Sequence, residues 1–357
     1  MISIGRIMRL CLLGGNILVS LGFLCCSYSP YISSVEHSIW ACSGLLFPFF
    51  FLLNLAFLLL WLIARRWFAM LPLLTLFVCW NATWTYCPIN KPMESQKRTL
   101  KLLTYNVFNF SEGKDSILAY LNKSEADVIC LQECTLDKQV KKALSSYPYY
   151  KHLALAGENG IACFSRFPIL SAERISYESL NNGSMLYRLK VENDTLLVVN
   201  NHLESNKLNS EDKEIYNHLL KSPNQKNVEK GGKLLLHKLA DAVKIRAVQA
   251  DSIAAFISRN SSPFMLVCGD FNDSPISYAH RVIGQGLQDA YAEGGSGLGI
   301  SYNRDHFYFR IDHIFAGSAF RVLQCKVDRS IIASDHYPVW CIPVSYTHLR
   351  AHETSQD

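Results

Sequence analysis

The first quarter of the chain is almost without charge. Arg6, Arg9, Arg65, Arg66 and Glu36 are the only charged side chains in residues 1–90, too few to clothe a water-facing domain. Nor does the chain carry a large excess of one sign. Its formal charge is +5, and residues 91 onward hold 31 basic against 29 acidic side chains. A balance that close excludes a broad field for nucleic acid, so a polyanion would have to be held by a local patch. Low-complexity tracts and internal repeats are missing as well. With 49% hydrophobic and 18% charged residues, disorder, collagen and coiled coil are excluded as the dominant state. The twelve cysteines lack the spacing of a zinc site or of a small disulfide scaffold, and they leave the compartment open.

What fills residues 1–90 is apolar. Leu10 to Val35, His37 to Ala64 and Trp67 to Asn90 are free of Asp, Glu, Lys and Arg apart from Glu36 between the first two, and each exceeds the ~20 residues that cross a bilayer core. The expectation is three membrane helices, roughly 7–29, 39–63 and 67–88. A cleaved signal peptide is the competing reading of the first, with Arg6 and Arg9 as its basic end. No small-x-small cleavage site follows it cleanly, and two further apolar stretches follow at once, so an anchor is favoured. With Arg6, Arg9, Arg65 and Arg66 held at the cytoplasmic face, three crossings put residues 91 onward outside the membrane.

Residues 91–99 (KPMESQKRT) form a polar linker, and short β-rich runs begin after it. They are 100–108, 127–134, 160–170, 185–192, 195–203, 264–272, 310–317 and 337–344, with helical patterns at 115–126 and 233–260. Strands and helices in this order, some strands joined by short links, predict a layered α/β sandwich of mixed sheets over residues 100–344. The closing SYTHLRAHETSQD, residues 345–357, follows a finished strand and reads as a non-native tail rather than part of the domain.

Polar residues occupy unusual places in these runs. Asn106, Glu133, His202, Asp270, Asn272, Asp312, Asp335 and His336 all fall within or at the C-terminal ends of apolar stretches. A polar group buried there is costly unless it is paired or binds something. Any one of them alone could be a turn, a helix cap or a structural histidine. Eight together point to a site.

The strings LLTYNV, VICLQE, VVNNHLES, LVCGDFND, RIDHIF and SDHYPV, in that order, resemble the endonuclease/exonuclease/phosphatase superfamily over about residues 99–344. The resemblance implies a four-layer α/β sandwich with two central mixed sheets and a divalent metal at one rim, usually magnesium, with manganese as the alternative. It implies hydrolysis of a phosphoester by in-line attack of water. Glu133, Asn106 and Asp335 would hold the metal. Asp270 would orient or deprotonate the water, and Asn272 would donate to a phosphoryl oxygen. His336 would meet the phosphate as a cation held by Asp312, and His202 would be a second phosphate-binding or acid group. Abasic-site endonucleases have an Asp where Phe108 stands, which places the chain nearer the deoxyribonuclease and sphingomyelinase branches.

Two features sit outside those motifs. Arg246 is a candidate phosphate ligand, or else a surface ion pair. Residues 203–244 carry 8 Lys against 6 acidic residues and either shape substrate access or form a solvated excursion. The expected partners are the lipid bilayer and a phosphoester, whether a phospholipid head group, a small phosphodiester or nucleic acid. The reading from another class is a non-catalytic membrane-anchored sensor, whose mark would be loss of residues such as Glu133, Asp270 or His336; none is lost.

Overall fold

Strands covered on both faces need apolar side chains along most of their length, and that is how the central runs are built. The computed structural model describes residues 4–93, 99–156, 159–221, 231–304 and 307–345. In it Leu102–Asn106 (β1), Val128–Gln132 (β2), Gly160–Ser165 (β4), Met265–Asp270 (β8) and Asp312–Ala316 (β10) are buried throughout. With Tyr149–Ala154 (β3), Ile169–Ile175 (β5), Gly183–Val191 (β6), Asp194–His202 (β7), Gln288–Asp289 (β9), Phe320–Val327 (β11) and Val339–Ser345 (β12), they form two six-stranded sheets. The orders are β11-β12-β1-β2-β4-β3 and β5-β6-β7-β8-β10-β9. Only β1/β2 and β7/β8 run parallel.

The inner faces meet in a core that includes Leu102, Cys130, Cys163, Tyr187, Val198 and Cys268. Outside the first sheet, Lys114–Lys123 and Lys138–Ala143 bury Ile117, Leu121 and Val140 against β1 and β2. Outside the second, Lys233–Arg259 and Tyr278–Ile283 bury Ile253, Phe256, Ala279 and Ile283. The four-layer α/β sandwich is therefore present. The run at 160–170 is one exception to the expected strands: it breaks into β4 and β5, which belong to different sheets. Pro168 between them has no N–H to continue a ladder, and the chain crosses over there.

Before the sandwich comes a helical bundle. Its helices are Ile4–Tyr28 (α1), Ser38–Ala41 (α2), Phe47–Ile63 (α3), Met70–Val78 (α4) and Trp80–Tyr86 (α5). Among the described residues two helices are long and apolar enough to cross a membrane, or three if the pair on either side of Cys79 counts as one span. That pair bends by 67°, so the expected single helix over 67–88 is broken. The composition changes at the same point, from LPLLTLFV to WNATWTY, an aromatic and polar stretch suited to a bilayer–water interface. A chain of side chains ties the helices together. Trp61 Nε1 donates to Asn16 Oδ1 at 3.0 Å, Ser20 Oγ to Asn54 Oδ1 at 3.4 Å, and Asn54 Nδ2 to Pro72 O at 3.0 Å. Interhelical hydrogen bonds of this kind hold helices together where no water competes. The first stretch is thus packed as a structural member of the bundle.

Bundle and sandwich are docked. Ile276, in the loop after β8, packs with Phe23, Cys26, Phe47 and Cys79. A Cβ on Gly44 would lie 2.1 Å from Ile276 O, so only glycine permits that approach. Arg281 Nε donates to Pro30 O at 2.7 Å, Trp84 Nε1 to Ala292 O at 3.0 Å, and Arg310 to Thr85 O. The linker residues 94–98 and the tail 346–357 lie outside the described residues.

Candidate active site

Strand direction gathers the polar residues. β1, β2, β7 and β8 end at one rim of the sandwich, and β10 and β12, antiparallel to β8 and β1, begin there. The register sets Asp270 opposite His202 on one side and Asp312 on the other. The strands can lie that close only because residue 269 is glycine: its φ is 132°, and a Cβ there would stand 2.0 Å from Asn201 O. Phe108, Glu133 and Asn272 at the same rim also have positive φ, at 46°, 47° and 52°. Backbone strain of this sort concentrates where side chains must be aimed.

Asp270 is the hub. Its Oδ2 accepts from Asn106 Nδ2 at 3.0 Å, and its Oδ1 accepts from the Asn272 N–H at 2.8 Å. The same Oδ2 lies 3.7 Å from His336 Nε2 and 3.9 Å from His202 Nε2. Asn106 Nδ2 also donates to Glu133 Oε1 at 3.1 Å, and His202 Nε2 is 3.5 Å from that oxygen. His336 Nδ1 pairs with Asp312 Oδ2 at 2.8 Å. Ser334 Oγ donates to Asn106 O at 2.8 Å and lies 3.2 Å from Asp335 Oδ1, so Asp335 is held beside the same rim.

Burial sets the charges. It drives Asp270 up to about 6, with Asp312 adding to the shift and His336, His202 and Asn106 opposing it. For His336 burial disfavours the cation, but Asp312 and Asp270 outweigh it and raise the imidazole well above its ordinary value. His202 is held below its ordinary value by burial, despite Asp270. Glu133 is pushed up by burial, against the Asn106 hydrogen bond, and further by Asp335 and Asp312. Among the buried polar atoms of the rim, His202 Nδ1 and Asp312 Oδ1 have no hydrogen-bond partner.

Four carboxylates (Glu133, Asp270, Asp312 and Asp335) therefore face one cationic imidazole, and negative charge is left over. Hard oxygen donors in excess fit a hard divalent cation. Ligand atoms of Asp270, Asp312 and His336 lie within 4.8 Å of one another. Asp312 already occupies Nδ1 of that histidine, however, and the raised imidazole favours a proton over a metal. The Glu133 side is better suited, since its side chain is 23% exposed at the mouth and only Oε1 is engaged by Asn106.

Eight of the nine residues singled out in the sequence meet at this rim. Asn272 differs in detail: its side-chain amide donates to Leu203 O at 2.9 Å and lies 3.3 Å from Asp270 Oδ2, so it braces the carboxylate. Arg246 is a correction. It is 2% exposed, and its guanidinium donates to Asp273 Oδ2, Glu204 O and Asn206 Oδ1 at 3.1, 3.0 and 2.9 Å. Those bonds bind the loops after β7 and β8 to their covering helix and take the charge away from any phosphate. The 203–244 segment forms the helix Ser210–Lys221 and the first half of Lys233–Arg259, clamped by Lys238 on Asp212 at 2.6 Å; residues 222–230 lie outside the described residues. Sequence reasoning missed Ser301, whose Oγ accepts from the Ile311 and Asp312 N–H groups at 3.0 and 3.1 Å. It also missed Ser334, although that serine stands directly before the Asp335–His336 pair.

A two-sheet sandwich with buried carboxylates and imidazoles converging at one rim defines an enzyme of the metal-dependent phosphoesterase class. Residues 103–336 match the sequence model of the Endonuclease/Exonuclease/phosphatase family, and the chain belongs to that family. The family's enzymes work with a divalent metal. Residues 8–86 match a second model, a domain of unknown function. Among solved structures, the chain is similar to a family member from Bacteroides thetaiotaomicron at 19% identity and TM-score 0.49, covering 70% of this chain and 98% of that one. It is similar to D. rerio TDP2 humanized by 14 mutations at 16% and 0.49, covering 69% and 99%. The third is a mannosyl-6-phosphatase from B. thetaiotaomicron, at 20% and 0.45, covering 69% and 100%. No curated protein sequence matches.

Proposed function

We propose that the protein is a membrane-tethered hydrolase of phosphoesters, phosphodiesters first among them, that uses magnesium, with manganese as substitute. The observation that carries this is the Asp270 carboxylate, buried at the rim and faced by Asn106, His202 and His336. Glu133, Asn106 and Asp335 would hold the metal, which when bound would neutralise charge growing on the phosphoryl oxygens. Asp270 positions the water and takes its proton, a task suited to a carboxylate raised toward neutrality. The water oxygen forms a new bond to phosphorus as the ester P–O bond breaks, and the proton returns to the leaving oxygen. His336, kept cationic by Asp312, donates to a phosphoryl oxygen, and neutral His202 offers a second hydrogen bond there. The catalytic domain lies outside the cytoplasmic membrane, on the argument that Arg65 and Arg66 stay inside.

The test is a substrate panel for the full-length protein with Mg²⁺: plasmid DNA, RNA, sphingomyelin, phosphoinositides and bis(p-nitrophenyl) phosphate. Hydrolysis of at least one, lost after metal removal with EDTA and regained with Mg²⁺, is expected. Full activity in the metal-free protein would overturn the metal assignment. Alkaline phosphatase fused after residue 90 should be active, and a fusion fluorescent only as a cytoplasmic reporter would reverse the topology.

A further inference from the structure

The anchor meets the sandwich at the catalytic rim. Arg310, which grips Thr85 O, stands two residues before Asp312, and Ile276, which enters the bundle, stands four after Asn272. Lys233–Arg259 is about 40 Å long against about 20 Å for β8, so its first half projects past the rim. That projecting half carries Ala240 and Val243, which pack on Ala41 at the end of α2 and on Cys42 directly after it, at the start of the second apolar span. Beside that contact Trp40 is 66% exposed, and Tyr31 and Trp80 are exposed at the same end of the bundle. Aromatic residues so placed mark the bilayer–water interface. The Arg65–Arg66 turn is at the far end of α3, about 25 Å away.

The connections at the rim carry exposed apolar side chains. Phe108 follows β1, Leu180 lies in the β5–β6 loop, Leu298 is held by Arg310 through its carbonyl, and Ile332 lies in the β11–β12 loop. Leu180 is 81% and Ile332 74% exposed. These four come from separate connections, and all of those connections open at the catalytic rim. Next to Leu298 a cavity of about 570 Å³ has Lys326 and Arg329 in its wall, cations suited to an anionic surface.

We propose that the catalytic mouth lies on the bilayer surface and that the substrate is a phosphoester carried on a membrane lipid of the same leaflet. This rests on the phosphoesterase reading and names its substrate class. The apolar collar seats among the head groups, and the lipid reaches Asp270 and His336 by lateral diffusion. Water cleaves the ester, releasing an alcohol and a phosphorylated product, one of them still anchored by its acyl chains.

The experiment uses full-length protein in phosphatidylcholine vesicles containing, in turn, phosphatidylglycerol, phosphatidylinositol and sphingomyelin. Each lipid is compared with its own deacylated head group, with single-stranded oligonucleotide and with bis(p-nitrophenyl) phosphate. At least one lipid should be cleaved about tenfold faster than its deacylated form, and Leu180→Asp with Ile332→Asp should lower the lipid-to-aryl-ester rate ratio by about tenfold or more. Equal rates on deacylated compounds, cleavage of oligonucleotide in preference to every lipid, or a ratio within about twofold of the parent overturns the inference. In each of those cases, aryl-ester hydrolysis that His336→Ala removes leaves the phosphoesterase reading standing. If no phosphoester is cleaved, both fall.

Discussion

The bundle and the catalytic rim each bury polar side chains among apolar ones, and they treat them in opposite ways. In the bundle Asn16 and Ser20 of α1 and Asn54 and Trp61 of α3 are neutral and bond to one another. Their hydrogen-bonding capacity closes on itself, which fixes the helices and leaves little to offer a ligand. At the rim the groups are titratable, crowded and incompletely paired: Asp270, Asp312 and Glu133 share one imidazolium, and His202 Nδ1 and Asp312 Oδ1 lack partners. A buried polar group with nothing left to donate or accept is a joint. One with capacity left over, facing an opening, is a reagent.

Variants can break that contrast. Arg246 is the strictest case, because it is charged and near the rim yet closed by three bonds. Arg246→Ala should cost about 3–5 kcal/mol of stability by leaving Asp273 buried and unpaired, with KM for the aryl ester little changed. Chemical denaturation followed by near-ultraviolet circular dichroism measures the first, and a KM rise without loss of stability would return Arg246 to the substrate. His336→Ala should lower turnover by ~10² to 10³ with folding intact, since it removes one positioned charged donor. Glu133→Gln should raise the Mg²⁺ concentration for half-maximal rate by about tenfold or more, read from a metal titration. Asn54→Leu should weaken helix association by only about 0.6 kcal/mol per lost bond, measured by detergent unfolding, and leave aryl-ester turnover alone. A catalytic loss there would end the distinction between the two regions.

The same contrast explains what the sequence discloses. The rim residues are conspicuous in it because carboxylates and imidazoles interrupt apolar strands, and eight of them prove to converge. Arg246 misleads because its partners Asp273 and Glu204 are 27 and 42 residues away, so nothing local shows that its charge is spent. β3 and β5 go unread because edge strands with one face in water, such as YYKHLA, interrupt their apolar residues with polar ones and do not stand out as runs. The bend after Val78 falls where LPLLTLFV gives way to WNATWTY, a change hidden by the unbroken absence of charge over 67–88, and Trp84 and Thr85 beyond it dock against the sandwich.

The central claim is that the rim carboxylate at position 270 activates water. Asp270→Asn keeps the shape and removes the charge, so it separates chemistry from packing more cleanly than any truncation. Turnover of the parent's best substrate by the full-length variant, with circular dichroism unchanged and Mg²⁺ saturating, should fall by at least about a hundredfold. Turnover within a few fold of the parent under those conditions would contradict the account.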